Sequence, residues 1–193
     1  MSLLINHQSK WAFVHIPKTG GTSITNILLK DKNTEHVSVH DSLRLLKCDE
    51  SYYIFSFVRN PFTRICSAFE DEYRKGNTKH NFGSYLKNID PNNVWLLPQS
   101  YFITAGETQH KKVSFIGRYE NYIDNCNIIF KKLNYTNKLP HLNRNPIYDR
   151  HPNLNQEQYY SKLYYTENWM KEWVIERYQD DFKIFNYDMD LPR

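Results

Sequence analysis

The chain is short of cysteine, of dense charge and of long apolar runs, and each shortage argues against a class of protein. Its 193 residues include three cysteines, Cys48, Cys66 and Cys126, far apart and without a C-x-x-C pair. That odd, scattered set argues against a disulfide framework or a cysteine zinc site and fits a reducing compartment. No stretch approaches 18 consecutive apolar residues, and the N-terminus has no charged region followed by a long apolar one. We therefore read no membrane span and no signal peptide, and expect a cytoplasmic domain. No grouping of His, Asp and Glu has metal-ligand spacing, so no metal is expected. The net charge is +4, but the basic residues form no tract. Such a mild surplus suits an anionic ligand and gives no case for nucleic acid.

What the chain does have is aromatic bulk. Tyr 15 and Phe 11 contribute to an aromatic content of 16%, ample for a core and against disorder. The length suits one domain, 1–193, rather than two. "WAFVHI" (11–16), "EHVSVH" (35–40), "SYYIFSFV" (51–58) and "VSFIGRY" (113–119) read as strands. "TSITNILLK", "RNPFTRICSAFEDEYRKG", "NYIDNCNIIFKKLN" and "TENWMKEWVIERYQDDFKIF" read as helices, with a brief helical stretch at "SLRLL". In the second of these, Asn60 is a good N-cap, Pro61 a good first residue and Gly76 a stop, with Phe62, Ile65, Cys66, Phe69 and Tyr73 as the apolar stripe. Residues 76–93 and 138–155 are polar, carry turn formers and read as surface loops. Alternating strands and helices imply an α/β fold with a central parallel sheet flanked by helices. The nearly continuous apolar run 51–58 fits a strand buried on both faces.

Two motifs follow strands and open helices, where ligands of such sheets bind. The first is "HIPKTGGTS" (15–23). Gly20 and Gly21 let backbone amides approach an anion, Thr22 and Ser23 add hydroxyls, the helix adds its amides and dipole, and Lys18 adds a mobile charge. The second is "VRNPFTRICS" (58–67), in which Arg59, Thr63 and Ser67 recur every four residues and read as one side of the segment. There an arginine and a serine can grip a second phosphate. A P-loop kinase or nucleotide triphosphatase is the first alternative, but it needs its lysine after the glycines and an acid at the end of a strand for magnesium. Here Lys18 precedes Gly20, and the strongest strand ends in Arg59. A non-catalytic or degenerate module that binds the nucleotide or anionic sugars is the second.

Together, "HIPKTGGTS" and "FSFVRNPFTRICSAF" resemble the sulfotransferases that use 3'-phosphoadenosine 5'-phosphosulfate (PAPS). The likeness is to the carbohydrate branch that includes the heparan sulfate 2-O-sulfotransferases. It continues through "LLPQSYFI", "FIGRYENY", "LPHLNRN" and "YQDDFKIFNYD". The resemblance implies a P-loop (nucleoside triphosphate hydrolase-like) sulfotransferase fold. It also implies that Lys18, Thr19, Gly20, Gly21, Thr22 and Ser23 hold the 5' side of PAPS, and that Arg59 and Ser67 hold its 3'-phosphate. The acceptor implied is a hydroxyl of a small molecule or an oligo- or polysaccharide. Taking that proton needs a base with a pKa near neutral, which favours histidine. His36 is the first candidate, because "HVS" resembles the segment with the catalytic histidine of the heparan enzymes. His40 is its rival, since alternation puts both on one side of a strand. His15 is expected to pack locally, and His141 and His151 fall in the polar loop. Trp95, Tyr101 and Trp169 could stack on sugar rings, though core positions are the plainer expectation for most aromatics.

Overall fold

The computed structural model describes residues 2–38, 48–104, 113–135 and 155–192. The "SLRLL" stretch and nearly all of the 138–155 loop lie outside them. Five strands form one mixed sheet: β1 (Ser2–Asn6), β2 (Trp11–His15), β3 (Thr34–Ser38), β4 (Tyr53–Val58) and β5 (Val113–Arg118), in the order β3-β1-β2-β4-β5. Strands β2, β4 and β5 run parallel, as expected. The addition is β1, which pairs antiparallel with both β2 and β3 and so leaves β3 parallel to β2.

Strand β1 was not read from the sequence. "SLLIN" is too short for periodicity to separate helix from strand, and Leu3, Leu4 and Ile5 are all buried, so no alternation marks it. What holds it is the hairpin to β2. The buried Asn6 accepts the Ser9 amide at 2.8 Å and donates from its own amide to Asp31 at 2.9 Å, while Lys10 turns the chain with φ 50.

The chain divides into two compact units, Met1–Arg59 with Gln99–Asn143 and Asn60–Pro98 with Arg144–Arg193. The first contains the sheet, α1 (Gly21–Leu28), α4 (Gln99–Thr104) and α5 (Tyr122–Lys132). On one sheet face Leu4, Trp11, Phe13, Phe55 and Phe57 meet Ile24, Ile27 and Leu28 of α1 and Cys126, Ile129 and Phe130 of α5. Burial of each such aliphatic or phenyl side chain contributes about 1.5–3 kcal/mol.

The second unit is helical: α2 (Pro61–Arg74), α3 (Phe82–Lys87), α6 (Gln156–Tyr164), α7 (Asn168–Arg177) and α8 (Gln179–Ile184). Helix α2 starts as expected, with Asn60 accepting the Phe62 amide at 2.9 Å and Pro61 at the first position. Its stripe differs in two places. Tyr73 is 60% exposed, while Arg64 is buried and donates to the carbonyls of Leu97 (2.9 Å) and Trp95 (3.2 Å). A guanidinium can be buried there because backbone oxygens satisfy it. The 76–93 segment is more than a surface loop: Asn81 caps α3, which sends Phe82 and Leu86 into the core of this unit. The C-terminal helical run breaks at Tyr178 into α7 and α8, and α6 begins at a capping box of Asn155 and Gln158.

Candidate functional site

The loop between β2 and α1 is built by two left-handed residues. Lys18 has φ 68 and Gly20 has φ 84. Gly20 is suited to that conformation, whereas Lys18 adopts it under strain. Space also restricts both glycines. A Cβ at Gly20 would stand 2.7 Å from the Tyr122 ring and 3.1 Å from that of Tyr119, and a Cβ at Gly21 would run into the His15 ring.

The residues around the loop hold it from behind. The buried Thr19 hydroxyl donates to the carbonyl of Ile16 at 2.8 Å, and the Tyr122 hydroxyl donates to that of Gly20 at 2.7 Å. The hydroxyl of the buried Ser23 bonds Tyr122, whose phenol stays protonated because burial pushes its pKa up. Thr22 is exposed, and no side chain caps the N-terminus of α1 at Gly20. The backbone amides of that turn, with the positive end of the helix dipole, are thus presented at the loop. Thr19 and Ser23 contribute hydroxyls to the scaffold, so only Thr22 shows its hydroxyl to solvent.

Arg59, at the end of β4, reaches the same loop. It is 2% exposed, its Nη1 donates to the Lys18 carbonyl at 3.3 Å, and its guanidinium lies 4.3 Å from the centroid of the Tyr119 ring. Its backbone is clamped by the Gln99 carboxamide, which accepts from the Arg59 amide and donates to the Arg59 carbonyl, both at 2.8 Å. The structure thereby joins Arg59 to Lys18 directly, sets Tyr119 beside both Gly20 and the Arg59 guanidinium, and fixes the Arg59 backbone with Gln99. Neither Tyr119 nor Gln99 stood out in the sequence, although both lie in the stretches "FIGRYENY" and "LLPQSYFI" that carried the resemblance. A tyrosine or glutamine in such a stretch shows no chemistry until the fold supplies its partner.

The four-residue recurrence of Arg59, Thr63 and Ser67 does not hold for Arg59, which precedes the helix and belongs to the strand end. Thr63 donates its hydroxyl to the Asn60 carbonyl at 3.2 Å, within the first turn of α2. Ser67 lies half-buried further along α2, in the helical unit.

His36 is exposed on β3, the edge strand, opposite Leu4, which is itself opposite Phe13. Paired residues share a face, so His36 lies on the same face as Phe13 and, two residues on, His15. His15 stacks on Phe13 with 5.7 Å between centroids, as local packing predicted. Burial, then the charge of the chain's N-terminus, then His36 lower its pKa to about 4. His40, His141 and His151 lie outside the described residues. Trp95 and Tyr101 are more than half exposed, not core residues. No group of three or more His, Cys, Asp or Glu that could hold a metal occurs among the described residues.

A phosphate-type anion is what this donor set fits: uncapped helix amides, an exposed hydroxyl, a lysine and a buried arginine, with no carboxylate among them. Residues 1–188 match the family model described as Sulfotransferase family, a span that includes both units. The chain therefore belongs to the sulfotransferase family, whose chemistry is sulfuryl transfer. No curated protein and no solved structure is similar enough to match it.

Proposed function

We propose that this sulfotransferase takes its sulfuryl group from PAPS and passes it to a hydroxyl of a carbohydrate acceptor. The observation that carries the reading is the Arg59 guanidinium fastened to the Lys18 carbonyl, because within one structural unit it brings the arginine of the second motif to the first anion-binding loop. In this reading the amides of Thr19, Gly20, Gly21, Thr22 and Ser23 and the Thr22 hydroxyl hold the 5' side, and Arg59 and Ser67 hold the 3'-phosphate. PAPS supplies an activated sulfuryl group and leaves as adenosine 3',5'-bisphosphate. Lys18 neutralises charge growing on the bridging oxygen. His36 takes the proton of the acceptor hydroxyl, with His40 as the rival. Exposure of His36 on an edge strand supports a bulky acceptor such as a sugar chain. Three buried free cysteines, and no helix among the described residues long and apolar enough to cross a membrane, support a cytoplasmic setting.

Calorimetric titration tests the donor. Adenosine 3',5'-bisphosphate should bind tightly and ATP with magnesium weakly. Arg59→Ala should weaken the bisphosphate far more than adenosine 5'-phosphate. Preference for ATP with magnesium would replace this reading with a kinase, and equal losses would remove the 3'-phosphate role of Arg59.

A further inference from the structure

The ladder of β4 stops one residue short of Arg59. Its pairing with β5 ends at Val58 and Arg118, and its pairing with β2 ends at Ser56 and Val14. Asn60 then caps α2. The N–H and C=O of Arg59 therefore fall beyond the sheet, at a buried position where each needs a partner. The carboxamide of Gln99 takes the place of a neighbouring strand. Its oxygen accepts from the Arg59 N–H and its nitrogen donates to the Arg59 C=O, both at 2.8 Å. A carboxamide is the side-chain group nearest to a peptide, with donor and acceptor on one neutral plane. Gln99 lies in "LLPQSYFI", a stretch that carries the family resemblance and has no role in the donor reading.

Gln99 is itself fixed. It is fully buried and opens α4, whose Phe102 and Ile103 are buried too. It belongs to the same structural unit as Arg59 and the 18–23 loop. Successive strand residues face opposite sides, so a strand geometry carried on through Arg59 continues the row of Phe55 and Phe57. That row packs with residues of α1 and α5. The Arg59 side chain is thereby sent to the face of the loop, where its Nη1 donates to the Lys18 carbonyl at 3.3 Å and its guanidinium lies 4.3 Å from the Tyr119 centroid. Its far end thus meets an acceptor and a ring, and its near end meets the Gln99 clamp. Without the clamp nothing in the ladder holds the alternation at Arg59, and the long side chain no longer starts in the direction that reaches the loop.

We propose that Gln99 is a positioning residue, whose carboxamide sets the Arg59 backbone so that the guanidinium stands ready for an anion. Resting on the PAPS reading, that anion is the 3'-phosphate of the donor. Gln99 acts through Arg59 alone. An arginine ordered before binding loses less freedom when the phosphate arrives, and the gain appears as affinity for that phosphate.

The test uses the full chain with Gln99→Met, which nearly keeps the volume and removes both bonds. Calorimetry gives the affinities for adenosine 3',5'-bisphosphate and adenosine 5'-phosphate, and their ratio isolates the 3'-phosphate. Gln99→Met should lower that ratio about tenfold, as release of one preorganised charged contact does. In an Arg59→Ala background it should leave the ratio unchanged. Gln99→Ala, which also leaves a cavity, should lower the ratio by the same factor while costing more stability. A second measurement needs no nucleotide. The Nε–H signal of Arg59, assigned by its loss in Arg59→Ala, should report a rigid side chain in wild type and fast motion in Gln99→Met by 15N relaxation. Equal losses for the two nucleotides, an unchanged ratio, the same fall without Arg59, or a rigid Arg59 signal in Gln99→Met would each overturn the proposal. Failure of both variants to fold would assign Gln99 to the fold alone and overturn it too. The two measurements separate this proposal from the donor reading. If wild type shows no preference for the bisphosphate but Arg59 loosens in Gln99→Met, the donor reading falls and the positioning of Arg59 stands.

Discussion

On the proposed reading, Lys18 sets stability against function on a single residue. Its φ of 68 costs a non-glycine residue about 1 kcal/mol, and strain of this kind gathers at functional sites. Lys18→Gly should therefore raise folding stability, by up to about 1 kcal/mol, in urea unfolding. Sulfuryl transfer by the same variant should fall by orders of magnitude. Transfer at the wild-type rate would remove Lys18 from the chemistry. His36→Ala should abolish transfer and leave bisphosphate affinity intact; if His40→Ala does so instead, the base is His40.

His15 makes a prediction at the same scale, with a definite sign. Its pKa falls from the ordinary 6.5 to about 4 on folding. The unfolded chain therefore binds more protons between those values, and the stability His15 confers is complete above about pH 6.5 and lost as pH falls toward 4. At pH 5 the loss reaches about 2 kcal/mol. Urea midpoints measured at pH 7.5 and pH 5 should move apart in the wild type and much less in His15→Gln. Equal shifts would mean that other groups carry the acid sensitivity.

At the scale of elements, the helix caps divide into two kinds. Asn60 caps α2 with its side chain, at 2.9 Å, whereas no side chain caps α1 at Gly20. An end left without a side-chain cap is ready for an anion, and a capped end is structural. Asn60→Ala should cost about 1 kcal/mol of stability, read as a lower urea midpoint with an unchanged slope. A much smaller loss would mean that Pro61 alone holds that turn.

The legibility of the elements follows the same physics. Helix α2 was readable because cap, proline and apolar spacing are local signals, and β4 because its run is continuously apolar. The hairpin strand β1 was not, since five residues take their strand identity from pairing with β2 and β3. Burial of Arg64 was not either, because it depends on the carbonyls of Trp95 and Leu97, which only the fold brings to it. In the loop, the glycines were legible as an anion approach. Their second role, making room for His15, Tyr119 and Tyr122, needed the fold.

For the whole molecule, the donor reading ties ligand binding to stability. A ligand that binds only the folded state stabilises it by about 2.7 kcal/mol when present at 100 times its Kd. A domain of this size gains about 2–4 °C in Tm for each kcal/mol, so adenosine 3',5'-bisphosphate at that excess should raise Tm by roughly 5–10 °C. Arg59→Ala needs a control, because it removes a buried group bonded to the Lys18 carbonyl and stacked on Tyr119, and so lowers the ligand-free Tm as well. The informative quantity is the ligand-induced increment. It should shrink in Arg59→Ala at the same ligand concentration and stay whole in Tyr73→Ala, an exposed position of the helical unit. Hydrogen exchange gives the map: added bisphosphate should slow the amides of residues 18–23 and of Arg59. Protection that appeared only in the helical unit would place the nucleotide there and overturn the donor assignment.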